Sequence, residues 1–259
     1  MGLRFKVLFA IFGAWIMTIE RPNFPQFFIT APSPCPYLHG QLERKVFTHL
    51  LGHDARQLNS QLSHGGFRRS QNIAYRPACD SCSACTSVRV PVESFTWTKS
   101  FRRVLQKNRD LSANVVRSQA TTEHYELFRS YIDTRHSEGG MADMSVLDFA
   151  AMIDETVVDS RLIEYRYERS HEMGGELIAT VLMDVLQDGL SLIYSFFDPS
   201  EQARSLGTFV VLDGILRAKK LGLPYLYIGY LVPGAKKMEY KARFSPQERL
   251  GGQGWVLYR

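Results

Sequence analysis

Three segments of the chain carry apolar residues at the spacing of an α-helix. They are residues 123–138, 146–158 and 206–221. In the last segment the periodic pattern stops at Gly222 and Pro224, which is a typical helix end. Residues 100–108 are also rich in helix-forming residues, most of them polar or basic. Helices are therefore predicted at these positions.

Other segments have the character of β-strands. Strand-like runs cover residues 162–167, 175–186, 189–197 and 224–232, and they are separated by glycines and polar turns. Within residues 86–92, Val88, Val90 and Val92 alternate with polar residues, which predicts a half-buried strand, and Pro91 suggests a sheet edge. An antiparallel meander, a helix and a further strand form the α+β pattern of acetyltransferase-like folds.

Composition fits a globular protein. The 259 residues are 45% hydrophobic and 22% charged, which excludes a disordered, collagen-like or coiled-coil chain. We expect a small cysteine-containing N-terminal domain over residues 17–98 and an acetyltransferase-like (GNAT) domain over residues 99–259, with the valine-rich strand near the boundary.

The N-terminus resembles an export signal in part. Arg4 and Lys6 precede an apolar run of eleven residues, Val7–Met17. The run is too short to span a bilayer, and no small-residue cleavage site follows it. We therefore interpret residues 1–16 as an extension from a start codon placed too early, with an export signal as the alternative, and we expect no membrane partner.

The cysteines suggest a metal site. Cys79, Cys82 and Cys85 have C-x2-C-x2-C spacing, which suits thiolates that converge on a metal or cluster better than it suits disulfides. Cys35 is the candidate fourth thiolate, and His39 is a reserve ligand for zinc. The alternative is a set of small reduced core residues. Either interpretation favours a reducing compartment, and we expect a cytoplasmic protein.

Positive charge is concentrated in one place. The chain has a formal charge of +5 and a pI near 9.0. The candidates for contacts with nucleic-acid phosphates are Lys99, Arg102, Arg103, Lys107 and Arg109. The alternative is a solvated helix face.

A loop before the third periodic helix resembles a coenzyme A motif. In acetyltransferases, R-x-x-G-x-G/A at this place holds a pyrophosphate on a helix N-terminus. Arg204 and Gly207 match the pattern, but the bulky Phe209 breaks it. The motif alone is weak support for coenzyme A.

The order of these pieces along the chain is characteristic. The segments that carry the resemblance are Cys35–Leu38, Gly66–Ser70, Tyr75–Cys85, Lys99–Asp110, Asp188–Pro199, Arg204–Gly207 and Tyr225–Phe244. Together they resemble the arginyl-tRNA–protein transferase family, in particular its short bacterial branch of aspartate/glutamate leucyltransferases. The match runs from about Pro25 to Trp255. Eukaryotic relatives carry Cys-x-x-Cys and Cys-Cys pairs, whereas this chain has Leu38 at the second position of the first pair.

The resemblance implies transfer of leucine from leucyl-tRNA to the N-terminal amine of proteins that begin with Asp or Glu, which marks them for N-degron proteolysis. Aminoacyl-tRNA is an activated ester, so the enzyme has to align a neutral amine and stabilise the oxyanion, and no cofactor is needed for the chemistry. A zinc or iron-sulfur centre would be structural.

Selectivity for acidic N-termini requires cations at the acceptor pocket. The candidates are Arg68, Arg69, Arg204, Lys237 and Lys241. Tyr194 or Asp198 is expected to receive or orient the amine proton. For each residue the alternative is an ordinary structural ion pair or hydrogen bond.

Other functions stay open at this point. They are arginyl transfer by the same mechanism, a coenzyme A-dependent N-acetyltransferase, and a non-catalytic metal-containing RNA-binding module. The donated amino acid rests on the branch resemblance alone, and the sequence does not define the oligomeric state.

Overall fold

The computed structural model describes residues 25–137 and 139–259. The interpretation of residues 1–16 as an extension falls outside this range. The described chain contains six α-helices: α1 (Ala55–His64), α2 (Lys99–Lys107), α3 (Thr122–Arg135), α4 (Val146–Asp154), α5 (Leu206–Lys220) and α6 (Lys236–Glu239). Short 3-10 helices cover Gln202–Arg204 and Tyr240–Arg243.

The strands form one large and two small sheets. In chain order they are β1 (Phe28–Ile29), β2 (Ser33–Pro34), β3 (Leu42–Glu43), β4 (Lys45–His49), β5 (Arg68–Ser70), β6 (Ile73–Pro77), β7 (Thr86–Pro91), β8 (Leu111–Arg117), β9 (Ser160–Tyr167), β10 (Leu177–Val185), β11 (Gly189–Phe197), β12 (Tyr225–Leu231), β13 (Gln247–Gly251) and β14 (Gly254–Tyr258).

The large sheet has eight strands in the order β14-β13-β7-β12-β11-β10-β9-β8. Strands β8 to β11 form an antiparallel meander, and α5 connects β11 to the parallel strand β12. This confirms the predicted α+β class and its order of meander, helix and strand. Strand β8 and the hairpin β13–β14 were not predicted, because few of their residues are buried and they give no clear apolar alternation.

Strand β7 corrects one prediction. It was expected at a sheet edge because of Pro91, but it lies between β12 and β13. Pro91 is the last residue of the strand, beyond the two positions at which β13 pairs with β7, so its missing N–H costs no ladder hydrogen bond there. Strand β7 precedes residue 98 and yet belongs to the large sheet. The domain boundary between residues 98 and 99 stays a prediction.

Strands β2 and β3 pair as a separate two-stranded sheet, and the four-stranded sheet has the order β1-β4-β6-β5. Helix α1 connects β4 to β5 and packs against β5. The four cysteines lie on the segments that flank this sheet. Its last strand, β5, contacts β11 of the large sheet, so residues of the N-terminal region reach the centre of the larger one.

Two apolar cores hold the helices against the large sheet. Helix α5 buries one face, including Phe209 and Leu212, against the strands, and α3 and α4 bury Phe128 and Phe149 against Phe196 on β11. Each such side chain contributes roughly 1.5–3 kcal/mol when it leaves water. Threonine or serine side chains cap the N-termini of α2, α3 and α4.

Within the described residues, no helix is both long and apolar enough to cross a membrane.

Candidate active site

The site begins where two central strands separate. Strands β11 and β12 pair in parallel only from Gly189 to Ser191, opposite Tyr225 to Tyr227. Beyond that point the register of each strand with its other neighbour shifts, at Ile193 in β11 and at Ile228 in β12. Bulges of this kind bend a strand and end its pairing. The carbonyl groups of β11 in the resulting gap are free to accept hydrogen bonds.

Arg68 on β5 fills part of this gap. Its Nη2 donates to the backbone oxygens of Leu192 and Ile193, at 3.0 and 2.9 Å. On β12, Gly229 has φ +83°, and a Cβ at this position would lie 1.2 Å from Nη1 of Arg68. A glycine is therefore required for the guanidinium to enter, because any side chain would occupy the same space and adopt a strained backbone.

Adjoining cavities open beside Arg68. One has a volume of about 330 Å³ and the next about 650 Å³, and both are lined by Arg68, Tyr194 and Lys241. A third, of about 430 Å³, continues to the N-terminus of α5 and shares Tyr131 and His136 with the second. Together they run from the N-terminal sheet to the loop before α5.

Lys241 is a buried cation. It is 6% exposed, and its Nζ donates to the backbone oxygen of Tyr230 at 2.9 Å. Burial and then the nearby Arg68 lower the pKa of Lys241 to about 7. Gln247 donates to the Lys241 carbonyl at 2.9 Å and so holds the backbone in place. Around Arg68 and Lys241, the described residues that line the 330 and 650 Å³ cavities include no Asp or Glu.

Several tyrosines surround the same space. Burial is the main cause that raises the pKa of Tyr131 and of Tyr194, and it raises the pKa of Tyr37 and of Tyr240 to about 12. All four phenols therefore keep their protons near neutral pH, where they donate hydrogen bonds and do not accept protons. Tyr194, a predicted proton acceptor or orienting group, is placed in the cavity as a neutral phenol.

Arg69, the neighbour of Arg68 on β5, also lines the 330 Å³ cavity, but its guanidinium is paired with a carboxylate. Its guanidinium donates to both carboxylate oxygens of Asp184, at 2.6 and 2.7 Å, and to Ser160 Oγ at 2.8 Å. Both charged side chains are 1% exposed. The arrangement favours the structural alternative for Arg69 over acceptor binding.

Arg204 also has partners of its own. It forms a two-pronged pair with Asp110, each N–O distance 2.8 Å, and donates to Glu201 at 2.9 Å. Hydrogen bonding from Arg204 is the main cause that lowers the pKa of Asp110. This network ties the end of α2 to the loop before α5, which again favours a structural role.

Asp198, the second predicted proton acceptor, follows β11 and turns away from the cavities. Its Oδ1 accepts from the backbone N–H and the hydroxyl of Ser200, at 2.8 and 2.6 Å. It does not line the described cavities. Lys237, in contrast, lines two of them. Five predicted residues thus line the cavities, and they are Arg68, Arg69, Tyr194, Lys237 and Lys241. Of these, Arg69 is already paired with Asp184.

The five predicted phosphate-binding side chains are exposed to solvent. Four of them lie on helix α2, and Arg109 follows the end of the helix. Lys107 Nζ donates to the backbone oxygen of Ala203 at 3.0 Å, and Ala203 belongs to the loop that leads into α5. The basic helix therefore lies beside the outer end of the cavities. Lys99, Arg102, Arg103 and Arg109 have no carboxylate within 4.0 Å in the described part of the chain.

The four cysteines are half-buried and reduced. Burial, followed by the charges of Cys35, Cys79 and Cys82, raises the pKa of Cys85 to about 11. The thiols therefore share one region, which packs against the end of β12. However, over residues 25–137 and 139–259 no three His, Cys, Asp or Glu side chains are arranged to hold a metal ion. The metal centre at these cysteines therefore stays a prediction.

Some site residues were missed by sequence reasoning. Tyr131 and His136 come from the end of α3, and Tyr37 comes from the cysteine-bearing segment. Gly229 was noted only as part of a loop. Nothing in their spacing signals a shared site, because the fold alone brings these distant positions together.

The described chain is thus an α+β fold whose central strands separate around a cationic cleft, with a basic helix beside its outer end. Models of the arginine-tRNA-protein transferase family match its C-terminal part over residues 123–251 and its N-terminal part over residues 33–103. The chain belongs to this family, and it is an aminoacyltransferase that uses aminoacyl-tRNA and a protein acceptor.

Curated relatives agree with this assignment. The chain is 57% identical to an aspartate/glutamate leucyltransferase of a Bradyrhizobium species over 93% of its length and 95% of the relative's. It is 57% identical to one of Brucella ovis, covering 93% and 99%, and 56% identical to one of Afipia carboxidovorans, covering 93% and 96%.

Similar solved structures are remote. FemX has 10% identity and a TM-score of 0.42, covering 65% of this chain and 58% of its own. The C-terminal domain of a putative lysylphosphatidylglycerol synthetase from Agrobacterium fabrum has 12% identity and a TM-score of 0.41, covering 61% and 50%.

The coenzyme A alternative loses its support. Phe209, which breaks the pyrophosphate pattern, is 7% exposed and packs edge-on against Tyr165, with ring centroids 5.3 Å apart. The Phe209 ring is part of the apolar core. Membership of a transferase family also excludes the alternative of a non-catalytic RNA-binding module.

Proposed function

We propose that this protein transfers leucine from leucyl-tRNA to the N-terminal amine of proteins that begin with Asp or Glu. The observation that carries the proposal is that two basic side chains, Arg68 and Lys241, line the same cavities, and that the described lining contains no carboxylate. A buried cation without a counterion favours an anionic ligand, because desolvating it alone is costly. The names of the curated relatives support the same acceptor.

The acceptor side chain is proposed to bind between Arg68 and Lys241. Arg68 already donates through Nη2 to the strand carbonyls, so its other N–H groups are available to a carboxylate. When the carboxylate arrives, its charge favours the protonated form of Lys241, whose pKa burial has lowered to about 7. Acidic residues then bind more strongly than their amides.

Leucine as the donated residue is supported by the apolar part of the same lining. Met141, Met152, Leu182 and Ile193 form one side of the 330 Å³ cavity. Methionines adapt to a branched aliphatic chain. An arginyl group would bring a third cation near Arg68 and Lys241, and the described lining offers no carboxylate for it, so leucine is favoured.

The chemistry makes modest demands on the protein. The ester of aminoacyl-tRNA is activated, and an α-amine with a pKa of about 7.7–8.0 is partly neutral at pH 7. The site has to orient the amine toward the carbonyl carbon and provide hydrogen-bond donors for the developing oxyanion. Tyr194, as a buried neutral phenol, is one such donor.

The test is a transfer assay with the purified full chain. Labelled leucyl-tRNA and arginyl-tRNA are offered separately to peptides that begin with Asp, Glu, Asn, Gln or Ala. We expect leucine on the Asp and Glu peptides only. The amide peptides are matched controls for shape, and transfer to them at equal rates would refute a carboxylate pocket. Transfer of arginine alone would show that arginyl-tRNA, and not leucyl-tRNA, is the donor.

A structural zinc or iron-sulfur centre at the cysteines stays a prediction with no geometric support. Metal analysis of protein purified under reducing conditions tests it. About one zinc per chain, or about two or four irons with equal sulfide, lost when Cys82 and Cys85 are replaced by serine, would establish the centre. Metal-free protein with full activity would reject it.

A further inference from the structure

Three side chains at the junction of the cavities form a hydrogen-bonded row. Lys237 Nζ lies 3.3 Å from His136 Nδ1, and His136 Nε2 lies 3.3 Å from Tyr131 Oη. Tyr131 and His136 come from the end of α3, and Lys237 comes from α6. The row crosses the space between two elements that are about a hundred residues apart in the chain.

The direction of the hydrogen bonds follows from the chemistry of the groups. An ammonium group has donors only, so Lys237 donates and His136 Nδ1 accepts. Burial, followed by the charges of Lys237 and Arg135, lowers the pKa of His136, so the imidazole is neutral near pH 7 and carries its proton on Nε2. That proton is donated to the oxygen of Tyr131.

Tyr131 consequently has its own O–H available. Burial raises the pKa of its phenol, so the group remains protonated. Among the described residues no acceptor takes this proton, and the only hydrogen bond at the oxygen is the one from His136. The ring is fixed against Phe197, with centroids 4.8 Å apart. The phenol is thus a rigid donor without a protein acceptor.

The position of this donor fits one event of the reaction. Tyr131 lines both the 650 Å³ cavity, which contains Arg68 and Lys241, and the 430 Å³ cavity, which reaches the loop beside the basic helix. If the acceptor carboxylate occupies the first and the tRNA end enters through the second, the ester that joins them lies between, at Tyr131.

Resting on the proposed function, we propose that Tyr131 is the proton donor to the ribose oxygen that leaves the aminoacyl ester, and that His136 and Lys237 replace its proton. The amine nitrogen forms a bond with the carbonyl carbon, the carbon–oxygen ester bond breaks, and its electron pair goes to the ribose oxygen. That oxygen takes the Tyr131 proton. The phenolate takes the Nε2 proton of His136, and Nδ1 takes one from Lys237. The proton released by the amine returns to Lys237 through solvent, so the step is balanced.

The first test compares Tyr131→Phe with Tyr125→Phe in single-turnover transfer of leucine to an Asp peptide. Tyr125 is on the same helix but packs against Phe149, away from the cavities. Loss of a general acid costs about 10²–10⁴-fold in rate. We expect a fall of at least about 10²-fold for Tyr131→Phe, little change in peptide KM, and wild-type behaviour for Tyr125→Phe. A wild-type rate for Tyr131→Phe, or a loss confined to KM, would overturn the proposal.

The second test separates proton donation from a structural role. A fluorinated tyrosine at position 131 keeps the shape of the ring but makes the phenol more acidic. We expect the alkaline limb of the rate profile to move to lower pH. The other ionisable groups near the phenol, Arg135, His136, Tyr194, Lys237 and Tyr240, are unchanged in this variant. An unmoved profile would refute the donor role.

Failure of the proposed function gives a different result from failure of this inference. Wild-type protein that transfers no leucine would overturn both. Wild-type protein that transfers leucine, together with a fully active Tyr131→Phe variant, would overturn only the proton donor.

Discussion

Two neighbouring arginines on one short strand have opposite surroundings. Arg69 is enclosed with Asp184 in a buried ion pair. Arg68 extends into the gap between β11 and β12, and its hydrogen bonds within the described chain go to backbone carbonyls. Successive side chains of a strand point to opposite faces, so adjacency in sequence puts these two charges in different environments. The Arg69 guanidinium stabilises the contact between the two sheets, and the Arg68 guanidinium is available to a ligand.

The largest expected effect comes from breaking the enclosed pair. Arg69→Met leaves the Asp184 carboxylate buried with Ser160 and Asn59 as its remaining partners. Removal of one member of a buried pair costs about 3–5 kcal/mol. We expect a loss of that size in the free energy of unfolding, measured by urea denaturation.

The double variant Arg69→Met/Asp184→Leu serves as its control. Replacing both charges with apolar groups is often neutral or stabilising, so most of the lost stability should return. If the single variant is as stable as wild type, the pair has no structural role and the contrast between the two arginines fails.

Arg68→Met should show the opposite profile. Because no carboxylate is left unpaired, we expect a change in unfolding free energy below about 1 kcal/mol. Loss of a charge-assisted contact to the acceptor, about 1.5–3 kcal/mol, should lower kcat/KM for Asp and Glu peptides by about 10–150-fold. The matched control is Arg76→Met, on the adjacent strand β6 and exposed. Equal losses in both variants would contradict a specific role of Arg68.

The same contrast limits what the sequence can reveal. The meander β9–β11, α5 and β12 were predicted because a buried face imposes a regular apolar period. Arg68, Lys237 and Lys241 were predicted as acceptor residues together with Arg69 and Arg204, because charge and motif order do not distinguish a cation that faces a cavity from one that faces a carboxylate. That distinction depends on Asp184 and Asp110, which are remote in sequence.

Tyr131 and His136 illustrate a second limit. Their side chains meet Lys237 only because α3 ends where α6 begins to cover the cleft. A tyrosine and a histidine five positions apart on a helix are common, and no local pattern identifies them. The cysteines differ, because their spacing is a recognisable local pattern, and the metal centre it indicates stays a prediction.

A smaller effect is expected from the protonation of Lys241. Its pKa is lowered to about 7, chiefly by burial, so the free enzyme loses this charge as the pH rises above 7. A carboxylate binds the charged form, and its apparent dissociation constant should therefore rise about tenfold per pH unit above pH 7 and stay nearly constant below it. An N-acetylated Asp peptide used as a competitive inhibitor removes the titration of the amine from the measurement.

Lys241→Met is the control for this pH dependence. The variant has no titrating group at the position, so inhibition should be weaker near pH 6 and independent of pH between 6 and 8. An identical rise in the variant would assign the pH dependence to another group and separate Lys241 from the cationic cleft.

The smallest effect per residue is expected on helix α2, where the cations are exposed and have neither a buried carboxylate nor a cavity. Arg102 and Arg103 are solvent-exposed on this helix, and contacts from such side chains to phosphates act mainly through released counterions. Each replacement by Gln should weaken tRNA binding only severalfold, but it should reduce the slope of log K against log salt by about 0.7–0.9. Binding of tRNA that carries no amino acid, measured at several salt concentrations, checks this, with Arg76→Gln as the control.

Because these phosphate contacts are independent of the amino acid, the preference for Asp over Asn peptides should be unchanged. A variant of α2 that altered this preference would show that the basic helix and the cationic cleft do not act as separate regions. The distinction between exposed cations that bind tRNA and cavity cations that select the acceptor would then no longer hold.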